Sequence, residues 1–128
     1  MQGLMAGKRG LIMGVANQRS IAWGIAKACA DAGAELAFTY QGEALERRVR
    51  PLAESVNAEI MPCDVADDAS LDAVFEKLKS DWGKLDFVVH AIAFADKDEL
   101  TGRYVDTSPQ NFQMSLNISC YSFTAITQ

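Results

Sequence analysis

Basic residues are outnumbered in this sequence: 12 Lys and Arg stand against 17 Asp and Glu, for a net charge of −5. Such a balance leaves no cationic face for a polyanion, so nucleic acid is excluded as an expected partner. His90 is the only histidine, and without a second imidazole or a CxxC pair no metal site is expected. On a buried strand it reads as a hydrogen-bonded core residue rather than a base. The three cysteines, Cys29, Cys63 and Cys120, form neither an even set nor a metal spacing. They are expected to be reduced thiols that serve as small core residues. No apolar run approaches the roughly 18 residues that cross a bilayer, and the start of the chain lacks a secretory pattern, so the expectation is a cytoplasmic protein with no membrane partner. Linkers, repeats and low-complexity stretches are also missing, which predicts one domain over residues 1–128.

What the sequence does contain is an alternation of short apolar runs and helical patterns. Strands are predicted at Arg9 to Met13, Glu35 to Tyr40, Glu59 to Cys63 and Phe87 to Ile92. The last is nearly all apolar, as a parallel strand covered on both faces must be. A helix over Ser20 to Asp31 would bury Ile21, Ile25, Ala28 and Ala32. A charged helix over Glu43 to Ser55 would be interrupted or kinked by Pro51. A third helix carries Leu71, Val74, Phe75, Leu78 and Trp82 on one stripe and stops at Gly83. After a polar loop from Ala93 to Thr107, Ser108-Pro109 opens a fourth helix with Phe112, Leu116, Cys120, Phe123 and Thr127 along one face. Right-handed crossovers then predict an α/β Rossmann-type doubly wound parallel sheet, three layers deep, with strand order 3-2-1-4.

Ligands of such sheets sit at the carboxyl ends of the strands where the order reverses. There Gly14 allows a sharp exit from strand one, and the following helix start offers free N–H groups and a positive dipole end to a pyrophosphate. Ser20 can cap that helix or donate to phosphate. A strict G-x-G-x-x-G is absent, and a plain strand-to-helix turn with a serine cap accounts for the spacing equally well. No Gly-Lys-Ser/Thr follows, which excludes a P-loop. Gln41 directly follows strand two, where an adenosine ribose would lie. Glutamine can bond ribose hydroxyls without requiring a phosphate, which favours NADH over NADPH. Arg47 and Arg48 argue the other way, but beside Glu43 and Glu46 they are expected to form a solvated face. Asp64 with Val65 could receive an adenine ring, or Asp64 could simply start a turn.

Taken together, Gly14-Val15-Ala16, Ser20-Ile21-Ala22-x-Gly24-Ile25-Ala26, Ala34 to Gln41, Cys63-Asp64-Val65 and His90-Ala91-Ile92-Ala93-Phe94-Ala95 resemble one family. It is the bacterial NADH-dependent enoyl-acyl-carrier-protein reductases, a divergent branch of the short-chain dehydrogenase/reductases. Gly102-Arg103-Tyr104 and Ile118 to Phe123 resemble it too, so the likeness spans the chain. The T-G-x-x-x-G-x-G turn and the strand-four Asn-Ala-Gly of ordinary short-chain dehydrogenases are both absent.

The resemblance implies that Gly14, Val15 and Ala16 line the cofactor, Ser20 and Ile21 the pyrophosphate, Gln41 the ribose, and Asp64 and Val65 the adenine. Ala91, Ile92 and Ala93 would pass under the adenosine ribose and toward the nicotinamide side, with Ala93 standing where many relatives have glycine. Phe94 and Ala95 would meet the acyl substrate or an inhibitor, and Leu100 would stand near its entrance. It further implies hydride transfer from NADH to an enoyl thioester on acyl carrier protein, and a homotetramer at full length. The family's catalytic pair is Tyr-x6-Lys, but the positions matching Tyr40, Tyr104 and Tyr121 are Arg47, Asn111 and Gln128. No catalytic residue is therefore expected here. The tyrosine and lysine would lie beyond Gln128, leaving the domain incomplete at its carboxyl end and inactive alone. Two rival readings remain: a non-catalytic dinucleotide-binding module, and another short-chain reductase acting on a carbonyl.

Overall fold

A computed structural model describes residues 3–128. They fall into two compact units, the first ending at Ala91 and the second being Ile92–Gln128. The first carries strands β1 (Arg9–Met13), β2 (Glu35–Tyr40), β3 (Glu59–Pro62) and β4 (Phe87–His90), separated by helices α1 (Ile21–Asp31), α2 (Glu43–Ser55) and α3 (Asp68–Trp82). All pairings are parallel, in the order β3-β2-β1-β4. The direction of winding reverses at β1, as predicted.

Alternation along the strands divides the core. Ile12, Leu36 and Phe38 pack with Val15, Ala22, Ala26, Val49 and Ala53 as one buried cluster between the sheet and α1 and α2. By the two-residue period of a strand, Leu11, Met13 and Ala37, all fully buried, point to the opposite face. Phe38 is wholly buried and meets Trp23 edge-on, with ring centroids 6.3 Å apart. Its burial contributes about 2–3 kcal/mol. α3 buries Leu71, Val74 and Leu78, with Asp67 capping its start and Gly83 closing its end.

Several expectations need correction. The buried stripe of α1 is Ala22 and Ala26, while Ile21 is 79 % exposed and Ala28 is exposed. Small alanines let this helix lie close to the sheet, which leaves Ile25 half-buried and turns Ile21 to solvent. α2 runs unbroken through Pro51. The ring removes one N–H from the helix, and Pro51 stands on the exposed side, where the freed carbonyl meets water. β4 ends at His90 rather than Ile92, because its partner strand leaves the sheet at Gly14. One further ladder bond follows, from Ala91 N to Met13 O at 2.9 Å. β3 similarly ends at Pro62, with Cys63 N still donating to Tyr40 O at 2.8 Å.

The second unit begins with two single 3-10 turns, Lys97–Glu99 and Tyr104–Asp106. Next come α4 (Pro109–Leu116), a π-helical turn (Asn117–Tyr121) and α5 (Ser122–Thr127). Ser108 caps α4, with proline in its first turn as predicted. The single helix of the sequence reading is thus broken by a wider turn. The buried residues are Asn111, Ser122 and Ile126, while Phe112, Leu116, Cys120 and Phe123 are exposed. Of the cysteines only Cys63 is buried, and burial pushes its thiol pKa up against the opposing hydrogen bond from Ser70.

Candidate functional site

The carboxyl ends of the strands bring most of the singled-out residues of the first unit to one edge. Met13 pairs with Thr39 on one side and His90 on the other, so Gly14, Tyr40-Gln41 and Ala91 emerge side by side. Gly14 has φ 117°, and a Cβ built on it would stand 2.0 Å from Ala91 O. No side chain fits between these strand ends, so the chain turns there in direct backbone contact with Ala91.

Beyond Gly14 the turn is tied by Ser20. Its hydroxyl donates to Asn17 O at 2.7 Å and accepts from Ala16 N and Trp23 N, each at 3.4 Å. The turn therefore approaches α1 in a fixed conformation, and α1 has no acidic residue in its first turn. An anion placed there meets free backbone N–H groups and no repelling carboxylate. Ile21, the first helical residue, is left with its apolar side chain in solvent.

Gln41 is exposed between β2 and Gly42. Asp64, at the end of β3, accepts from Ala66 N at 2.9 Å, which is the turn-starting role. Its own N–H donates to Ser70 Oγ at 2.9 Å, fixing the segment that carries Val65.

In the second unit, Ala93 and Phe94 are exposed and Ala95 half-buried. Ser119, inside the π-helical turn, grips both polar groups of the Phe94 backbone: its hydroxyl accepts from Phe94 N at 2.9 Å and donates to Phe94 O at 3.2 Å. Asn111 Oδ1 accepts from Asp96 N at 2.8 Å. Glu99 takes the Ser108 N–H at 2.6 Å and its hydroxyl at 2.7 Å, and those bonds hold its carboxyl below the usual range. Leu100 follows at 68 % exposure.

Comparison with known proteins decides the family. A family model described as Enoyl-(Acyl carrier protein) reductase matches residues 14–128. The chain belongs to the enoyl-acyl-carrier-protein reductase family. It is 66 % identical over 125 residues to enoyl-[acyl-carrier-protein] reductase [NADH] 1 of Rhizobium meliloti, covering 97 % of this chain and 46 % of that protein. The crystal structure of the Anaplasma phagocytophilum reductase in complex with NAD superposes with TM-score 0.94 at 58 % identity, over 98 % of this chain and 48 % of that one. The FabI structure from Candidatus Liberibacter asiaticus gives TM-score 0.95 at 55 % identity, over 99 % and 50 %. The chain spans about half the length of the curated relatives it matches.

Within this chain, Gly14 and Ala91 touch, and Gln41 and Asp64 follow the ends of the neighbouring strands. Val15 is different: its side chain is 2 % exposed and belongs to the core, so only its backbone can face a ligand. Ser70, Asn111 and Ser119 were not singled out in the sequence. Each supports a loop at least six residues away, and no local pattern marks such a pairing.

Proposed function

We propose that the protein containing this chain reduces the trans-2 double bond of an enoyl thioester on acyl carrier protein with NADH, in bacterial type II fatty-acid synthesis. The chain supplies the cofactor-binding portion. The observation that carries this is the exposed carboxyl edge of the first unit. There a glycine in backbone contact with Ala91 leads into a helix start free of acids, and Gln41 stands at the next strand end.

The residues present suit a dinucleotide. Gly14, Val15 and Ala16 offer backbone against it; Ser20 orders the turn and, with Ile21, presents helix N–H groups to the pyrophosphate. Ile21, exposed at this position, would cover the ligand with its side chain. Gln41 bonds the adenosine ribose, and Asp64 and Val65 receive the adenine, Asp64 while it keeps its turn bond to Ala66. Ala91, Ile92 and Ala93 line the nicotinamide side. Phe94 and Ala95 contact the acyl substrate, with Leu100 at its entrance. Once bound, NADH would supply the hydride. No residue of this chain is assigned proton donation to the thioester. The full protein is read as a cytoplasmic homotetramer; among the described residues no helix is long and apolar enough to cross a membrane.

The test uses the protein translated from the complete reading frame that contains this chain. We expect saturable NADH binding by nicotinamide fluorescence, weakened about tenfold by Gln41→Ala, roughly what losing a bidentate polar contact costs. NADH oxidation should depend on an enoyl thioester and not on a ketone. Oxidation driven only by a ketone would overturn the reading in favour of a carbonyl reductase; NADH binding without turnover of either would favour a binding module.

A further inference from the structure

The Phe94 backbone is held in a way that its surroundings do not require. The residue is 53 % exposed and belongs to no strand or helix, so water could serve both of its main-chain polar groups. Exchanging such bonds for internal ones adds little net stability. A single side chain takes both instead: the Ser119 hydroxyl accepts from Phe94 N at 2.9 Å and donates to Phe94 O at 3.2 Å. In an antiparallel sheet a residue turns both groups to one side to meet the paired strand. Here a hydroxyl 25 residues along the chain stands in for that strand. With N–H and C=O fixed at one point, the Phe94 backbone is restrained on both sides of Cα, and the direction of the side chain is set from the main chain.

The hydroxyl reaches this place from an irregular support. Ser119 is the middle residue of the π-helical turn Asn117–Tyr121, and turns of this kind interrupt helices frequently at functional sites. The segment is anchored further on as well. Asp96 N donates to Asn111 Oδ1 at 2.8 Å, and Asn111, buried in α4, donates in turn through Nδ2 to Thr107 Oγ1 at 2.9 Å. Glu99 is tied to Ser108. Phe94 to Glu99 therefore rests on three fixed points while Phe94 itself stays more than half exposed. A rigid main chain under an exposed aromatic ring presents that ring instead of burying it. Such a preorganised apolar surface receives a chain of methylenes without first losing freedom of its own.

We propose that Ser119 is a positioning residue that aims the Phe94 ring at the acyl chain, so that preference for long enoyl chains over short ones depends on its hydroxyl. This rests on the function proposed above, in which Phe94 contacts the acyl substrate.

The experiment is steady-state kinetics of the full-length protein with trans-2-butenoyl and trans-2-dodecenoyl thioesters of acyl carrier protein. Ser119→Ala should raise KM for the dodecenoyl thioester about tenfold while kcat stays within about threefold, the pattern of lost binding and not of lost chemistry. The butenoyl thioester has few methylenes to lose from the contact, and its KM should change by less than about twofold. Ser119→Thr keeps the hydroxyl and should stay close to the parent. Phe94→Ala should reproduce the dodecenoyl loss. Ser119→Ala/Phe94→Ala should be no worse than Phe94→Ala alone, because Ser119 acts through that ring. NADH affinity should be unchanged throughout. A loss equal at both chain lengths, a fall in kcat with KM unmoved, or losses that multiply in the double variant overturns the proposal. Amide hydrogen exchange of the parent decides the matter should Ser119→Ala not fold: a protected Phe94 N–H supports the proposal, and exchange at the rate of an unstructured chain overturns it. A parent that binds NADH but reduces neither thioester overturns the function and this inference with it. A parent that reduces both while Ser119→Ala is unaltered overturns the role of Ser119 alone.

Discussion

The two ends of the one parallel sheet are built by opposite rules. At the amino ends of the strands, charges are tied off: Arg9 bonds Glu35, donates to Trp82 O at 2.9 Å and lies 5.9 Å from the centroid of the Trp82 ring, while Trp82 Nε1 donates to the same Glu35. Lys77 bridges Glu59 and Asp81 nearby, and Asp86 accepts the Arg9 backbone N–H. At the carboxyl ends the polar groups are spent on fixing turns, and Gln41, Ile21 and three arginines are left open to solvent. Under the function proposed above, strand ends kept for a ligand leave polar groups that do not satisfy one another, whereas the ion pairs gather at the far edge. Mutations should therefore separate the two properties according to the edge they strike.

Gly14→Ala tests that separation hardest, because this residue stands at the open edge but is held like one of the closed edge. The added Cβ would meet Ala91 O at 2.0 Å from a backbone with φ 117°. We expect a loss of about 3 kcal/mol or more in urea unfolding, from combined backbone strain and overpacking, together with loss of NADH binding. A loss below about 1 kcal/mol would show that the strand ends are free to part, and the contrast between edges would weaken. Arg9→Ala comes next. The ion pair is exposed, and with the bond to Trp82 O and the ring contact its removal should cost about 1–2 kcal/mol. NADH affinity should be unchanged, since Arg9 lies at the opposite end of β1 from Gly14. A shift in NADH affinity with no shift in stability would invert the assignment of the edges.

How much of this was legible depended on whether the controlling contact was local. The strands were readable because Leu11, Ile12 and Met13, or Leu36 to Phe38, can be apolar throughout only between two covered faces. The position of Gln41 followed, since the length of β2 fixes which residue comes next. The α1 stripe was misread because Ala22 and Ala26 are too small to outweigh Ile21 and Ile25 in a hydrophobic pattern, although their smallness is what lets the helix approach. The π-helical turn was not legible: it widens a helix whose sequence keeps ordinary spacing, and Ser119 uses it to reach Phe94, 25 residues earlier. Arg47 and Arg48 illustrate a further limit, because helical spacing offers Glu43 as a partner but does not require the pair to form.

The smallest effect, and the one that most sharpens the contrast, is in acid. The Arg9 backbone N–H holds the Asp86 carboxyl below the ordinary carboxylate range, with help from the charge of Lys84. A carboxyl whose folded pKa is depressed adds stability above the ordinary value of about 3.9 and loses it as pH falls through the lower folded value. Asp86→Asn keeps an oxygen that can accept from Arg9 N but has no charge to titrate. The parent should therefore be more stable than the variant by a constant margin above about pH 5, and the margin should shrink as the solution is acidified below the ordinary carboxylate value. Thermal midpoints of both proteins across that range measure it. A margin that persists in acid would mean that geometry, not charge, holds the amino edge; the closed end of the sheet would then owe its stability to the same kind of backbone fit that fixes Gly14 at the open one.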